Sequence, residues 1–279
     1  MNKIVYLLLG ILITLAAVGC KDYSKVSFYA SSAEEVMTLV KQHKDDLEKI
    51  NDAYEAKNRF DAYSEINHNL VLLWASPEEM NQWYKIWIES IIKSKSYAND
   101  KKRYNDVFCG ALTCFLKTKD KKSIEELPNL GTYPIFEYAK NKFLDSTPLE
   151  FAKWAQMHIN LKTVPKHCGF AIECFGLLEA SGVAANDWKL AKDANAMLYS
   201  HIGIESLGDW AIVVVSNVAF YADKQGKLNN EDKIILSEFY NKYMKTIPFN
   251  DLDRKRGEFI LKIIKKYNVI PDVTIPSPK

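Results

Sequence analysis

The sequence predicts an all-α protein, either a helical bundle or a short α-solenoid of stacked helical hairpins. Three observations carry that expectation. Nine prolines and eleven glycines in 279 residues are too few to punctuate many short strands. Apolar residues recur at steps of three and four along most of the chain, which is the repeat of one helix face. Helix-start chemistry, with Ser or Thr followed by Pro and Glu, opens two of these stretches.

Taken in order, Ser31-Ser32-Ala33-Glu34-Glu35 reads as a capping box. Val36, Val40, His43, Leu47, Ile50 and Tyr54 follow as a heptad seam, predicting one long amphipathic helix. A continuing or second helix carries Phe60, Tyr63, Leu70, Leu73 and Trp74. Ser76-Pro77-Glu78-Glu79 starts the next, which buries Met80, Trp83, Trp87 and Ile91. Serine caps the free N–H groups, proline fits the first turn, and the glutamates oppose the positive helix end. Further helices are expected over about 102–117, 132–144, from Thr147-Pro148-Leu149-Glu150 onward, and over about 166–180, 185–200, 209–224, 231–245 and 251–267. The β-branched run Ala211 to Val215 fits a strand or a buried helix. Residues 269–279 hold three prolines and read as an extended, exposed tail.

The two helix starts share more than their caps. Ser76-Pro77-Glu78-Glu79-Met80 leads to Trp83, and Thr147-Pro148-Leu149-Glu150-Phe151 leads to Trp154. Each is followed by a cysteine-glycine helix, one with Cys109-Gly110 and Cys114, the other with Cys168-Gly169 and Cys174. A duplicated helical hairpin accounts for this order, as does chance, since such caps are common. No tetratricopeptide or ankyrin consensus is visible.

Cys109 and Cys114 are five apart and Cys168 and Cys174 are six apart. Neither spacing permits a bridge within one helix. An oxidising compartment would favour a disulfide between the two helices. The alternative is four thiols packed as small hydrophobes. Neither pair has the spacing of a structural zinc site.

Other motifs are incomplete. Glu65 and His68 have the Glu-x-x-His spacing of carboxylate-bridged di-iron bundles, but those need two copies and two further glutamates. His201 and Glu205 lie four apart, but Gly203 between them and Gly208 beyond favour a helix end over a ligand pair. Residues 223–232 resemble half of an EF-hand loop around Gly226. Tyr221 then falls where the first carboxylate belongs, so a turn between helices is the simpler account. His167 cannot readily activate the adjacent Cys168, because neighbouring helical residues do not face each other. No nucleophile elbow, His-Glu-x-x-His or phosphate loop is present, which weighs against an enzyme without excluding one. No metal or cofactor is expected. A formal charge of +2 gives no basic surplus for nucleic acid.

The N-terminus reads as a processing signal. Lys3 precedes a 15-residue apolar run from Ile4 to Val18, short of the roughly 20 residues a spanning helix needs. Ala17-Val18-Gly19-Cys20 resembles the bacterial lipobox, with alanine where that family prefers leucine. The resemblance covers about the first 21 residues and implies that Cys20 is the lipidated first residue of the mature protein. It also implies a position in the bacterial envelope. Lys21, where an aspartate would retain such proteins at the inner membrane, favours the outer membrane. The expected organisation is a signal peptide over 1–19, a lipidated tether over 20–30, an all-helical domain over 31–268 and the proline-rich tail.

The function expected from this organisation is non-catalytic binding of a protein or ligand by a lipid-anchored envelope protein, with a protein partner favoured. One alternative is an immunity or exclusion lipoprotein that neutralises a toxin or phage factor. Another is a subunit of an outer-membrane assembly machine. A third is an envelope hydrolase acting on lipid, glycan or peptide, which requires a deep polar cleft with converging side chains of perturbed pKa.

Overall fold

The computed structural model describes residues 22–59, 61–93, 101–128, 133–245 and 252–270, and for 101–104 the backbone alone. Cys20 and nearly all of the proline-rich tail lie outside the described residues. Within them the protein is all-α, with fourteen α-helices.

The N-terminal third holds α1 (Ala33–Gln42), α2 (Leu47–Glu55) and α3 (Ala62–Leu72). The expected long helix over Val36 to Tyr54 is interrupted by a 3-10 turn at Lys44–Asp46. Short polar side chains there compete with the helix for hydrogen bonds. Asp46 accepts from the Tyr23 hydroxyl at 3.0 Å and from Lys49 at 2.9 Å. The seam survives the break, since Val36, Val40, Leu47, Ile50 and Tyr54 are all buried.

Helix α4 (Pro77–Lys93) starts where Ser76 and Glu79 exchange side-chain-to-backbone hydrogen bonds of 3.2 and 2.7 Å. Helix α8 (Pro148–His158) starts on the equivalent box between Thr147 and Glu150. Each pairs with its cysteine-glycine helix, α4 with α5 (Lys101–Thr118) and α8 with α9 (Cys168–Ala184), as a duplicated hairpin requires. Between them run the short α6 (Lys121–Glu126), unannounced by the sequence pattern, and α7 (Pro134–Leu144). The chain continues through α10 (Trp188–Ile202), the single turn α11 (Ile204–Leu207), α12 (Trp210–Gln225), α13 (Asn230–Phe239) and α14 (Arg254–Lys266). The run Ala211 to Val215 is helical, in α12, and buried throughout, which β-branched residues tolerate when tertiary packing outweighs propensity. Gly226 ends α12 in the left-handed conformation, and Asn229 caps α13. The EF-hand-like segment is therefore a turn between helices. Its Asp232 is buried against Lys192 at 2.8 Å.

The helices form a row in which α4 packs on α5, α5 on α9, α9 on α10, α10 on α12 and α12 on α14. Gly182 allows the tightest step. A Cβ there would stand 2.6 Å from the Ala191 backbone nitrogen and 2.9 Å from the Asp187 carbonyl oxygen. The row curls until its ends meet. Arg256 of α14 donates to the carbonyl of Val71 on α3 at 2.6 and 3.1 Å. Trp74, just past α3, packs edge-on against Phe220 and Phe259 at 5.9 and 5.1 Å between ring centroids. Among the described residues no helix is long and apolar enough to cross a membrane.

Candidate functional site

Inside the curl lies a cavity of about 950 Å³, at the upper end of the range for small-molecule sites. Each wall is one helix face. Helix α5 presents Asp106, Gly110, Thr113 and Lys117, α9 presents Gly169, Glu173 and Gly176, and α12 presents Trp210, Val214, Asn217 and Tyr221. These steps of three and four put each set on a single side of its helix. Tyr84 and Trp87 of α4 complete the aromatic wall, stacked at 5.9 Å with ring planes 9° apart.

The polar groups divide into a locked set and an open one. In the locked set, Glu179 accepts from Lys117 and from the Tyr221 hydroxyl, both at 2.7 Å. Burial alone would raise its pKa, but the Lys117 ammonium and the Tyr221 hydroxyl prevail and hold it below the usual value. Arg256 donates to Ser216 at 2.5 Å and to the Val71 carbonyl, with its guanidinium 4.9 Å from the Trp74 ring centroid. Burial brings its pKa down to about 10 against the opposing pull of Glu179 and Tyr221, so it remains charged at neutral pH.

The open group is Glu173. It is hemmed in by protein yet keeps some accessible surface, because what it faces is the cavity. Burial pushes its carboxyl up to about 8, and the nearby Asp106 carboxylate adds to the rise. No hydrogen bond or basic side chain among the described residues supports its ionised form. Its helix neighbours four residues before and three after are Gly169 and Gly176, which leaves the carboxyl bare on both sides. A Cβ at Gly176 would meet only the Thr113 methyl, at 3.9 Å. Gly110 differs, because a Cβ there would collide with the Tyr84 hydroxyl. Glycine inside a helix costs about 0.5–1 kcal/mol relative to alanine. Gly176→Ala is therefore expected to stabilise the protein by about that much. Gly182→Ala is expected to destabilise it by about 1–3 kcal/mol through backbone overpacking. Urea denaturation of the two variants checks the opposite signs.

The residues singled out from sequence are dispersed. Cys109, Cys114, Cys168 and Cys174 are free thiols in this structure. The two cysteine-glycine helices pack together, with Cys109 near enough to Cys174 to feel its charge. Burial pushes Cys114 and Cys174 up to about 12 and raises Cys109 and Cys168, which removes thiolate reactivity at neutral pH. Glu65 is engaged by the Tyr54 hydroxyl at 3.2 Å and the Phe28 amide at 3.3 Å, while His68 lines the cavity. His167 caps α9 by accepting from the Phe170 amide. His201 packs edge-on against Phe175 at 5.7 Å in the last turn of α10, and Glu205 pairs with Lys242 at 3.6 Å.

Glu173, Glu179 and Arg256 went unread in the sequence. The available signal was that Cys168–Ala184 is an apolar helix whose only charged residues are Glu173 and Glu179. A carboxylate on such a helix is either paired or functional, and this helix carries one of each. Compared with protein families, with curated proteins and with solved structures, the chain finds no match in any of the three.

Proposed function

We propose that this protein is a lipid-anchored binding protein of the bacterial envelope that holds a small molecule in its central cavity. The single observation behind the reading is the 950 Å³ cavity, which combines aromatic walls with a few fixed polar groups, the composition of ligand sites. We take the ligand side of the broader expectation of protein or ligand binding. The lipid anchor rests on the lipobox resemblance alone.

A hydrolase is the second reading, favoured by Glu173, whose carboxyl stays protonated up to about pH 8 and so has the character of a general acid. Binding is preferred because Glu179 and the cysteines are not available for catalysis. Glu179 is tied to Lys117 and Tyr221, and the thiols are held protonated.

The test is a small-molecule inventory of the full chain purified from its native envelope, read by mass spectrometry after denaturation. Gly176→Trp, which projects an indole into the cavity, serves as the comparison. A compound present near one per protein in the wild type and lost from the variant carries the reading. Identical inventories overturn it.

A further inference from the structure

We propose that the end of the cavity around Glu173 is a binding site for an organic cation, a quaternary or primary ammonium group carried on an apolar body. The proposal rests on the ligand-binding reading above and deepens it.

The argument starts from charge. The described titratable groups that act on Glu173 or feel its charge are Asp106 and Cys109 on α5, Cys174 on its own helix, Tyr84 on α4 and Tyr133 ahead of α7. Every one is acidic or neutral. The lysine and arginine side chains that line the cavity are committed or distant, and His68 of α3 lines it as well. Lys117 is held by Glu179 at 2.7 Å. It also stands eleven residues from Asp106 on α5, roughly 16 Å along the axis at about 1.5 Å per residue. Arg256 is bonded to Val71 and Ser216, and Lys224 lies over the Phe220 ring at the far end of α12. Glu173 therefore faces the cavity with no lysine or arginine bonded to it among the described residues.

Space and surface point the same way. Gly169 and Gly176 leave room on both sides of the carboxyl. The Tyr84 ring, whose hydroxyl feels the Glu173 charge, borders that space, and aromatic faces attract ammonium groups. A bound cation supplies the counter-charge that an ionised Glu173 lacks. Binding should thus draw a proton off the carboxyl, and affinity should rise with pH up to about 8.

The experiment is isothermal titration of the full chain in neutral detergent with three probes: benzyltrimethylammonium, benzyl alcohol and benzenesulfonate. The first keeps its charge at every pH. Its affinity is expected to increase by up to ~100-fold between pH 6 and 9, following ionisation of Glu173. Glu173→Gln is expected to lower cation affinity at pH 9 at least ~10-fold and to flatten the pH dependence, leaving benzyl alcohol binding unchanged. Three results overturn the cation site: benzyl alcohol or benzenesulfonate binding as tightly as the cation, cation affinity unaffected by Glu173→Gln, or no cation binding at all. The ligand-binding reading is judged separately. It stands if any probe binds the wild type more tightly than Gly176→Trp, and it falls with the cation site if none does.

Discussion

Glu173→Gln is expected to stabilise the protein at pH 8 by about 2–5 kcal/mol and to leave it nearly unchanged near pH 4. The sign follows from linkage. The carboxyl has an ordinary value of 4.5 and is raised to about 8 in the folded chain. Between those values the folded state keeps a proton that the unfolded state releases, so stability falls as pH rises through the window. Below it both states are protonated and the residue costs nothing. Above it the cost is complete, at about 1.4 kcal/mol for each tenfold change in proton affinity. Water reaching the cavity brings the expected figure toward the lower end of the range. Glutamine removes the titration while keeping the shape. Urea denaturation at pH 4, 6 and 8 reads the effect directly. An equal change at all three values would show that folding does not raise the Glu173 carboxyl, and that its cavity is well solvated.

The second large effect is at the closure of the curl. Arg256→Met is expected to cost about 1.5–3 kcal/mol, the range for hydrogen bonds to charged groups, with the Val71 carbonyl keeping the Trp74 amide as a donor at 3.1 Å. It leaves the Val71 carbonyl without its two donors from α14 and removes the donor to Ser216. Val71 is one of the last carbonyls of α3, so the guanidinium also meets the negative end of a helix. The loss of a charge that is costly to bury offsets part of the penalty. Arg256→Lys is expected to recover only a fraction, because an ammonium cannot reproduce the planar fork that spans both partners. Denaturant midpoints of the two variants check the order. Hydrogen exchange should show α3 and α14 loosening together, since the bond joins residues 185 apart in the chain. If only α14 loosened, the contact would be a local anchor, and the curl would be closed by the Trp74, Phe220 and Phe259 rings instead.

The cysteine-glycine helices show how far sequence reasoning reached. Their order after two similar capped starts was legible, and the structure pairs each with its preceding helix. Their glycines were not legible as three different things. Gly182 permits backbone contact with α10, Gly110 makes room for the Tyr84 hydroxyl, and Gly176 borders empty space. One letter in the sequence covers all three, because the distinction lies in what stands opposite.

The all-α class followed from the sequence alone, through sparse Pro and Gly, the three-and-four repeat, and the caps at Ser76 and Thr147. Those are local properties, set by each residue and its neighbours within about one turn. Local chemistry also contained the ending of α12 at Gly226. The break at Lys44–Asp46 carries a contact with Tyr23, more than twenty residues away, which the heptad seam does not contain. The curl of the row, the cavity within it, and the division between a locked Glu179 and an open Glu173 were decided only by the tertiary structure. Two glutamates six residues apart on one apolar helix are chemically identical until packing supplies Lys117 and Tyr221 to one and leaves the other facing space.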